Sequence, residues 1–309
     1  PMSGPDDTRV MPMTDDAVAE AARLVLAGQA VAVPTETVYG LAADATSAEA
    51  VARIYAAKGR PAFNPLIVHV PDLASAERVG QFDDEARALA LQHWPGPLTL
   101  VVPLREDAGI ASLVTAGLPT IALRVPAHPA MQALLNACGR PLAAPSANAS
   151  GSISPTRAGH VLASLGGHIP LVIDGGATQR GIESTIIAAT GDGLRLLRRG
   201  PIEIDAFETH KPSSIEAPGQ LASHYAPRKP LRLDATSAAD GEYLIGFGPV
   251  AGDVTLSEGG DPVEAAARLF DLLHQADAAP QPRIAVAPVP GNGIAPALRD
   301  RLERAAAPR

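Results

Sequence analysis

Apolar and polar positions in the first part of the chain repeat with the periods of helices and strands. Residues 14–28 carry apolar side chains at helical spacing and acidic residues in their first turn, and they predict a helix. The short apolar run 29–34 predicts a buried strand. Residues 46–59 predict a second helix, in which Thr46 and Glu49 fit a capping box.

Six further apolar runs have the length of buried strands. They lie at residues 66–70, 98–104, 120–126, 171–176, 184–189 and 194–200. Helical stretches separate several of these runs. Strands this apolar, interleaved with helices, indicate an α/β fold in which helices cover both faces of the sheet.

The pattern of apolar and polar positions weakens after Pro201. Residues 208–230 contain four prolines and no sustained periodicity, which predicts a linker. The strand and helix signals beyond it alternate, at residues 242–248, 261–278, 283–289 and 294–307. We therefore predict a first domain at 1–207, the linker at 208–230 and a small Rossmann-like βαβα domain at 231–309.

The composition argues against several classes of protein. A net charge of −8 and an aromatic content of 3% do not suit an extensive nucleic-acid surface, although a local basic cleft and a weak contact with tRNA stay open. The single cysteine, Cys138, allows no internal disulfide and indicates a reducing compartment, where we expect a passive, partly buried thiol. No apolar run reaches about 18 residues and no secretory leader is visible, so we expect a cytoplasmic protein without membrane segments.

Three polar stretches adjoin predicted strands. They are PTETVYG at 34–40, KGRPAFNPLIVHV at 58–70 and PSANASGSISPT at 145–156. Each stretch by itself is compatible with a surface loop or a helix end. Because ligands of open α/β sheets bind beyond the strand ends, the three stretches together predict one polar crevice.

The side chains around this crevice suit anionic ligands. Basic, hydroxyl and amide groups are supplied by Lys58, Arg60, Arg124, Arg198, Thr37, Ser146, Asn148 and Ser154. The sequence has no G-x-x-x-x-G-K-[ST] loop and no G-x-G-x-x-G after a strand, so a nucleotide would bind in a cavity of another kind. It also lacks H-x-H, H-E-x-x-H and G-x-S-x-G, which argues against a protein-held zinc ion and against Ser-His-Asp hydrolysis.

Five motifs follow one another in a specific order, namely PTETVYGLAADA, KGRPAFNPLIVHV, SANASGSISPT, GIESTI and LRRGP. In this combination the chain resembles the YrdC-like family of threonylcarbamoyl-AMP synthases. The segment APGQLASHYAP at 217–227 and the small domain behind it are similar to the longer, two-domain members. Where the family usually has Arg-Pro-Gly, this chain has Arg198, Arg199 and Gly200, which leaves open which arginine faces the site.

The resemblance implies a twisted mixed-sheet fold and a nucleotidyltransferase activity. Members of the family combine L-threonine, bicarbonate and ATP into threonylcarbamoyl-adenylate and release pyrophosphate. This is the first step in forming threonylcarbamoyladenosine in tRNA, and the product passes to a tRNA threonylcarbamoyl transferase complex. No protein nucleophile is needed, so catalysis would depend on positioning, charge neutralisation and exclusion of water.

The resemblance also implies roles for individual residues, matched motif by motif. Those implied to bind L-threonine are Thr37, His69, Arg124, Ala144 and Ser184. Those implied to bind ATP, whose phosphates would carry a magnesium ion that the protein alone does not hold, are Lys58, Arg60, Asn64, Thr120, Ser146, Asn148, Ser154, Arg198 and Tyr225. Lys58 and Arg60 are the residues implied to be catalytic.

Two further residues, Glu36 and Tyr225, carry expectations of their own. We expect Glu36, between Thr35 and Thr37, to orient a neighbouring basic side chain. We expect the linker to cross the mouth of the cavity, with Tyr225 as part of a lid that excludes water. Tyr225 would then lie at the edge of the site, where its replacement by alanine leaves stability unchanged.

Two alternative functions stay open on the sequence. An RNA-binding module without catalysis would use the same positive cavity. A nucleotide-dependent carbamoyl transferase that acts on another amine would share the cavity but would not require threonine. A steep salt dependence would indicate RNA binding, whereas pyrophosphate release that needs threonine and bicarbonate would indicate the synthase.

Overall fold

One mixed sheet of eleven strands organises the first part of the protein in the computed structural model, which describes residues 7–208 and 214–309. The strands are β1 Arg9–Pro12, β2 Val31–Pro34, β3 Tyr39–Asp44, β4 Ile67–His69, β5 Leu98–Pro103, β6 Thr120–Arg124, β7 Leu142–Ala143, β8 Leu171–Asp174, β9 Thr185–Ala189, β10 Leu194–Arg198 and β11 Phe207–Glu208. Their order across the sheet is β1-β8-β2-β3-β7-β4-β6-β5-β9-β10-β11. Strand β6 runs parallel to β4 and antiparallel to β5, so the predicted mixed α/β sheet is confirmed.

Helices cover both faces of this sheet, as predicted. They are α1 Asp15–Leu26, α2 Ala48–Lys58, α3 Leu73–Val79, α4 Asp84–His93, α5 Pro129–Cys138 and α6 Ala158–Leu165. Helices α1 and α5 share one apolar core, and the other four pack into a larger core on the opposite face. Along β2, Val31 and Val33 belong to the first core and Ala32 to the second, because successive side chains of a strand point to opposite faces.

The start of α2 differs from the prediction by one residue. Ser47, not Thr46, is the N-cap, and its side chain accepts the backbone N–H of Ala50 at 3.2 Å. The Thr46 hydroxyl does not cap the helix, because it donates to the Asp44 carboxylate at 2.6 Å. The predicted capping box with Glu49 is therefore wrong, because a competing local hydrogen bond occupies the threonine.

A hairpin, rather than a strand followed by a loose loop, explains the polar residues 35–37. Strands β2 and β3 pair antiparallel, with Val33 opposite Gly40 and Pro34 opposite Tyr39. The Thr35 hydroxyl donates to the carbonyl of Val38 at 2.6 Å and closes the turn between the strands. The turn residues are buried, so this turn lies inside the protein and not on its surface.

A second, parallel sheet forms the C-terminal unit. Its strands are β12 Leu231–Arg232, β13 Glu242–Gly246, β14 Val254–Thr255 and β15 Arg283–Val286, in the order β12-β15-β13-β14. Its helices are α7 Pro262–Ala278 and α8 Ala295–Ala306. The predicted strand, helix, strand and helix are all present, and the two short strands β12 and β14 were not predicted.

The two units share apolar packing. Val38, Ile153, Ile182 and Tyr225 belong to the same buried cluster as the core of the C-terminal unit. The strands of the first sheet end at residue 208 and those of the second begin at residue 231. Part of the predicted linker, residues 209–213, lies outside the described residues.

The helices and the single cysteine bear on two expectations drawn from the composition. Among the helices of residues 7–208 and 214–309, none is long and apolar enough to cross a membrane. Cys138 is buried at the end of α5, and burial raises the pKa of its thiol to about 11. Such a thiol stays protonated at neutral pH and is a poor nucleophile, as expected for a passive cysteine.

Candidate active site between the first sheet and the linker

A partly open cavity lies where strand ends of the first sheet meet the linker. Its polar lining comes from the β2–β3 turn, from β4, β6 and β10, from the segments before β9 and after β7, and from residues 218–225. The sheet thus brings together motifs that are far apart in the sequence, as expected for a crevice beyond strand ends.

The predicted residues fall into three groups around this cavity. All five that were assigned to threonine line it, namely Thr37, His69, Arg124, Ala144 and Ser184. Of the residues assigned to ATP, Arg60, Ser146, Arg198 and Tyr225 also line it, while Lys58, Asn64, Asn148 and Ser154 are buried but do not contribute to the lining. Thr120 begins β6, whose opposite end carries Arg124, so the structure does not bring Thr120 to the cavity. The roles of these residues stay predictions.

Arg124 is held on three sides at the end of β6. Its Nε donates to the carbonyl of Gly96 at 3.3 Å, its Nη1 donates to Thr37 Oγ1 at 3.0 Å, and its Nη2 pairs with the carboxylate of Glu36. The second Glu36 oxygen accepts the backbone N–H of Ala127 at 2.9 Å. The expectation that Glu36 orients a basic side chain is therefore confirmed. Burial lowers the pKa of Arg124, and Glu36 opposes this shift.

Lys58 supports the cavity from behind. It is the last residue of α2, and Gly59 ends the helix in the left-handed conformation, with φ of 60°. The Lys58 ammonium donates to the carbonyls of Ser146 at 2.5 Å and Asn148 at 2.6 Å, so it anchors the third polar motif. Burial lowers the pKa of Lys58 well below its usual range, and the charge of Arg60 acts in the same direction.

Arg60 brings a cation into the cavity itself. Its Nε donates to the carbonyl of Asn64 at 3.1 Å and its Nη2 to that of Pro65 at 2.6 Å. Burial lowers the pKa of Arg60 to about 10, so the side chain is charged at neutral pH. The side-chain amide of Asn64 is buried, and neither its nitrogen nor its oxygen has a partner in the part of the chain that the structure describes.

Arg198, rather than Arg199, faces the cavity. Its Nε donates to the carbonyl of Ser184 at 3.0 Å and its Nη2 to Ser184 Oγ at 3.1 Å. Ser184 Oγ also shares a hydrogen bond of 2.8 Å with Thr99 Oγ1. Arg199 lines a different cavity, together with Glu203 and residues near the start of α8.

Tyr225 lies deeper than predicted. The described part of the linker does reach the cavity, but the Tyr225 side chain is completely buried and stacks on Phe270, with ring centres 5.7 Å apart. Because the ring is fully buried and packs on Phe270, we expect alanine at this position to lower stability, contrary to the expectation from the sequence. Gly219, at φ of 83°, lets the linker pass close by, since a Cβ there would lie 2.6 Å from the Tyr225 hydroxyl.

Two titratable residues of the cavity lining were not selected from the sequence. Glu183 precedes Ser184 in the GIESTI motif, and His224 precedes Tyr225 in the linker. Burial, with the cavity cations acting in the same direction, lowers the pKa of His224 to about 3, so its imidazole is neutral. The signal that could have revealed Glu183 is a single acidic residue inside an otherwise apolar and hydroxyl motif.

No group of three or more histidine, cysteine, aspartate or glutamate residues that could hold a metal ion occurs in residues 7–208 and 214–309. The two carboxylates that adjoin the cavity, Glu36 and Glu183, both pair with buried arginines. The cavity therefore has a net excess of buried cations, and its chemistry suits an anionic ligand.

Comparison with known proteins places the chain among relatives of the same architecture. The Sua5/YciO/YrdC family model, described as "Telomere recombination", matches residues 23–200, and the model described as "Threonylcarbamoyl-AMP synthase, C-terminal domain" matches residues 178–307. The threonylcarbamoyl-AMP synthase of Bacillus subtilis (strain 168) is 38% identical over 98% of this chain and 97% of its own length. That of Pyrococcus abyssi is 38% identical over 92% of both proteins.

Solved structures agree with these relatives. The structure of P. abyssi Sua5 complexed with L-threonine matches with a TM-score of 0.88 and 34% identity, and it covers 97% of this chain and 96% of that chain. E. coli YciO shares the fold of the first unit, with a TM-score of 0.57 and 21% identity over 65% of this chain. Since the first family model matches more than half of the chain and two relatives span nearly all of it, the protein belongs to the Sua5/YciO/YrdC family, in the two-domain form that carries a Sua5 C-terminal domain.

Proposed function

We propose that this protein is a threonylcarbamoyl-AMP synthase, which condenses L-threonine, bicarbonate and ATP and releases pyrophosphate. The observation that carries the proposal is the convergence of the five residues assigned to threonine on one cavity that also holds Arg60 and Arg198. The two nearly full-length relatives named as threonylcarbamoyl-AMP synthases support the same activity. They lend no support to an RNA-binding module without catalysis or to a transferase acting on another amine.

Arg124 is suited to bind the carboxylate of threonine. A guanidinium has five N–H donors, and the contacts with Gly96, Thr37 and Glu36 use three of them, one on each nitrogen. One N–H therefore stays available on Nη1 and one on Nη2, which is the pair that a carboxylate accepts in a bidentate contact. Glu36 would keep the guanidinium plane in a fixed orientation for this contact.

The remaining cations are suited to bind the triphosphate of ATP. Arg60 and Arg198 reach the cavity, and both donate only to neutral oxygens in the hydrogen bonds described above. Lys58 holds the 146–148 segment through its two carbonyl contacts, which places Ser146 at the cavity wall. Since both adjoining carboxylates already pair with arginines, the phosphates of ATP would carry the magnesium ion.

The reaction needs positioning rather than a protein nucleophile. The amine of threonine forms a bond to the carbon of bicarbonate-derived carbon dioxide and loses a proton, so that it becomes a carbamate, and this proton and the hydroxide released from bicarbonate leave as water. A carbamate oxygen then forms a bond to the α-phosphorus of ATP, the bond from that phosphorus to the β-phosphate bridge breaks, and pyrophosphate leaves. Arginines aimed at the phosphates would stabilise the charge that develops, and the buried linker residues would keep water from the carbamate and from the mixed anhydride.

The product would be used outside this protein. Threonylcarbamoyl-adenylate is an activated mixed anhydride, and the enzyme that consumes it must transfer its acyl group to an amine. We propose that the acceptor is an adenosine of tRNA, bound by a separate tRNA threonylcarbamoyl transferase complex. The weak contact of this chain with tRNA and its cytoplasmic location stay predictions.

A pyrophosphate-release assay with the purified protein tests the proposal. Release should require L-threonine, bicarbonate, ATP and magnesium together, and the omission of any one should reduce it to background. Release that continues without threonine would instead indicate action on another amine. No release with all components, together with RNA binding that weakens steeply with salt, would support the RNA-binding alternative.

A further inference from the structure

Arg301 is the largest completely buried side chain in the described residues. It lies on α8 of the C-terminal unit, but its guanidinium contacts the first unit. Its Nε donates to Glu183 Oε1 at 2.9 Å, and its Nη2 donates to the backbone carbonyl of Glu183 at 3.2 Å. The guanidinium also lies over the Tyr225 ring, 5.2 Å from its centre. One side chain of the C-terminal unit therefore holds two residues that line the cavity.

Both carboxylate oxygens of Glu183 accept a hydrogen bond in this arrangement. While Oε1 accepts from Arg301, Oε2 accepts from the hydroxyl of Ser154 at 2.6 Å. Burial by itself would raise the pKa of Glu183, but the charges of Arg301 and Arg198 and the hydrogen bond from Ser154 lower it overall. The buried side chain is therefore an ionised carboxylate, directed toward Arg301 and Ser154.

The position of this carboxylate matters because of its neighbours. Glu183 is followed by Ser184, whose carbonyl and hydroxyl both accept hydrogen bonds from Arg198. A carboxylate that was free to turn would pair with Arg198, because arginine binds carboxylates and phosphates through the same N–H groups. It would then compete with the phosphates of a nucleotide.

Stability alone does not explain the ion pair. Apolar side chains of similar volume in place of a buried ion pair are often as stabilising as the pair itself, or more so. The surface of α8 that packs against the first unit could therefore have been apolar. A charge at this position is required only if Glu183 has to stay ionised and in place.

We propose that Arg301 is a positioning residue for nucleotide binding, which holds the Glu183 carboxylate against Ser154 and away from Arg198. Arg198 then stays available to phosphate oxygens. The inference rests on the proposed function, since it takes Arg198 to be a ligand of ATP. It gives the C-terminal unit a part in the site that is separate from the lid predicted for the linker.

The variant Arg301→Met tests this by removing the charge while keeping much of the volume. We expect the KM for ATP to rise about 10- to 100-fold, the loss typical of a hydrogen bond to a charged group. The KM for threonine and kcat at saturating ATP should change by only a few fold. A direct titration with ATP in the absence of threonine should show the same loss of affinity.

Arg299→Met is the matched control on the same helix. Arg299 donates to the carbonyls of Val289 at 2.8 Å and Gly291 at 3.1 Å, both inside the C-terminal unit. Its replacement should leave the affinity for ATP unchanged. A loss of equal size in this control would show that any change on α8 disturbs the site, and it would overturn the specific role of Arg301.

The double variant Arg301→Met with Glu183→Gln provides the decisive comparison. The double variant has no Glu183 carboxylate that is buried without an opposite charge. It should therefore fold and bind ATP within about threefold of the wild type, even if Arg301→Met alone does not fold. A double variant that still binds ATP tenfold or more weakly, or a folded single variant that binds it normally, would overturn the proposal. A wild type that binds ATP but releases no pyrophosphate would refute the proposed function, while the titrations would still test Arg301.

Discussion

The variant Arg60→Met separates the stability of the protein from its activity. Among the contacts of the described residues, Arg60 forms no ion pair with a carboxylate and donates only to the carbonyls of Asn64 and Pro65. Three of its five N–H groups are therefore left for a ligand. In the free protein this buried cation lacks an opposite charge, whereas in the complex it would face a triphosphate.

The contacts give the expected magnitudes. After the change the Tyr55 hydroxyl, which lies 2.8 Å from the carbonyls of both Asn64 and Leu113, can donate its single hydrogen to Asn64, while the Leu113 carbonyl keeps the backbone N–H of Ala116 at 3.3 Å. Only the Pro65 carbonyl then loses its partner, at a cost of about 1–3 kcal/mol. Removing a buried cation without an opposite charge relieves a desolvation penalty of several kcal/mol. The free energy of unfolding should therefore stay the same or rise. Losing the charge next to the reacting phosphates should cost about 3–4 kcal/mol in the transition state, or about 100- to 1000-fold in kcat/KM.

Pyrophosphate release and denaturant unfolding of the same preparation measure both quantities. Arg105→Met is the control, because Arg105 is an exposed arginine whose Nε likewise donates to a carbonyl, that of Glu77, at 2.6 Å. It should keep full activity. If Arg60→Met kept the wild-type kcat/KM, or lost activity only in proportion to its unfolded fraction, the proposed electrostatic role of Arg60 would be refuted.

Three further predictions concern packing, pH and substrate choice. Tyr225→Ala should lower the free energy of unfolding by about 3–5 kcal/mol in denaturant titrations, because it removes a buried ring. Tyr225→Phe should not lower it, because the buried hydroxyl has no partner in the described residues. Equal losses in the two variants would contradict this prediction. Burial, together with the charge of Arg124, lowers the pKa of His69 to about 3, so its contribution to stability is complete above pH 6.5 and is lost as the pH falls from 6.5 toward 3. His69→Gln should therefore reduce the slope of stability against pH by up to about 1.4 kcal/mol per pH unit in that window, and an unchanged slope would exclude His69 as its source. Serine should be a poor but detectable substrate in the pyrophosphate assay, and 2-aminobutyrate a worse one. The reason is that cavity hydroxyls such as those of Thr37 and Ser184 should form a hydrogen bond with the substrate hydroxyl, which 2-aminobutyrate lacks. The reverse order would show that the cavity does not recognise this hydroxyl.

Helices α1, α2, α7 and α8 and most of the longer strands followed from the sequence, because each depends on local periodicity, whereas β3, six residues long, was not predicted. The amphipathic stretch that became α1 and the apolar runs that became β5 and β9 need no information from distant residues. Short strands such as β7 and β12 were missed, because two residues carry no measurable period and pair only once the neighbouring strands are in place. The N-cap of α2 was misplaced because Thr46 and Ser47 are both good caps, and only the contact with Asp44 distinguishes them.

The family and part of the cavity lining, including all five residues assigned to threonine, could also be predicted from the sequence, since the five motifs keep their order and composition. Which of two adjacent arginines faces the cavity could not, because neighbouring residues at a strand end point to opposite sides and the pairing of β10 has an irregularity between Leu196 and Arg198. The depth of Tyr225 depends on Phe270, 45 positions further along the chain, and on how the two units pack.

The ion pair between Glu183 and Arg301 was decided by the tertiary structure alone. Its partners are 118 positions apart and belong to different units, and no local pattern tells which of 33 acidic residues meets which of 25 basic ones. Burial then turns this pairing into a requirement, because an ionised carboxylate without water must have a partner. Local periodicity and motifs thus determined the elements and the family, and the packing of α8 against the first unit decided how charge is distributed in the cavity.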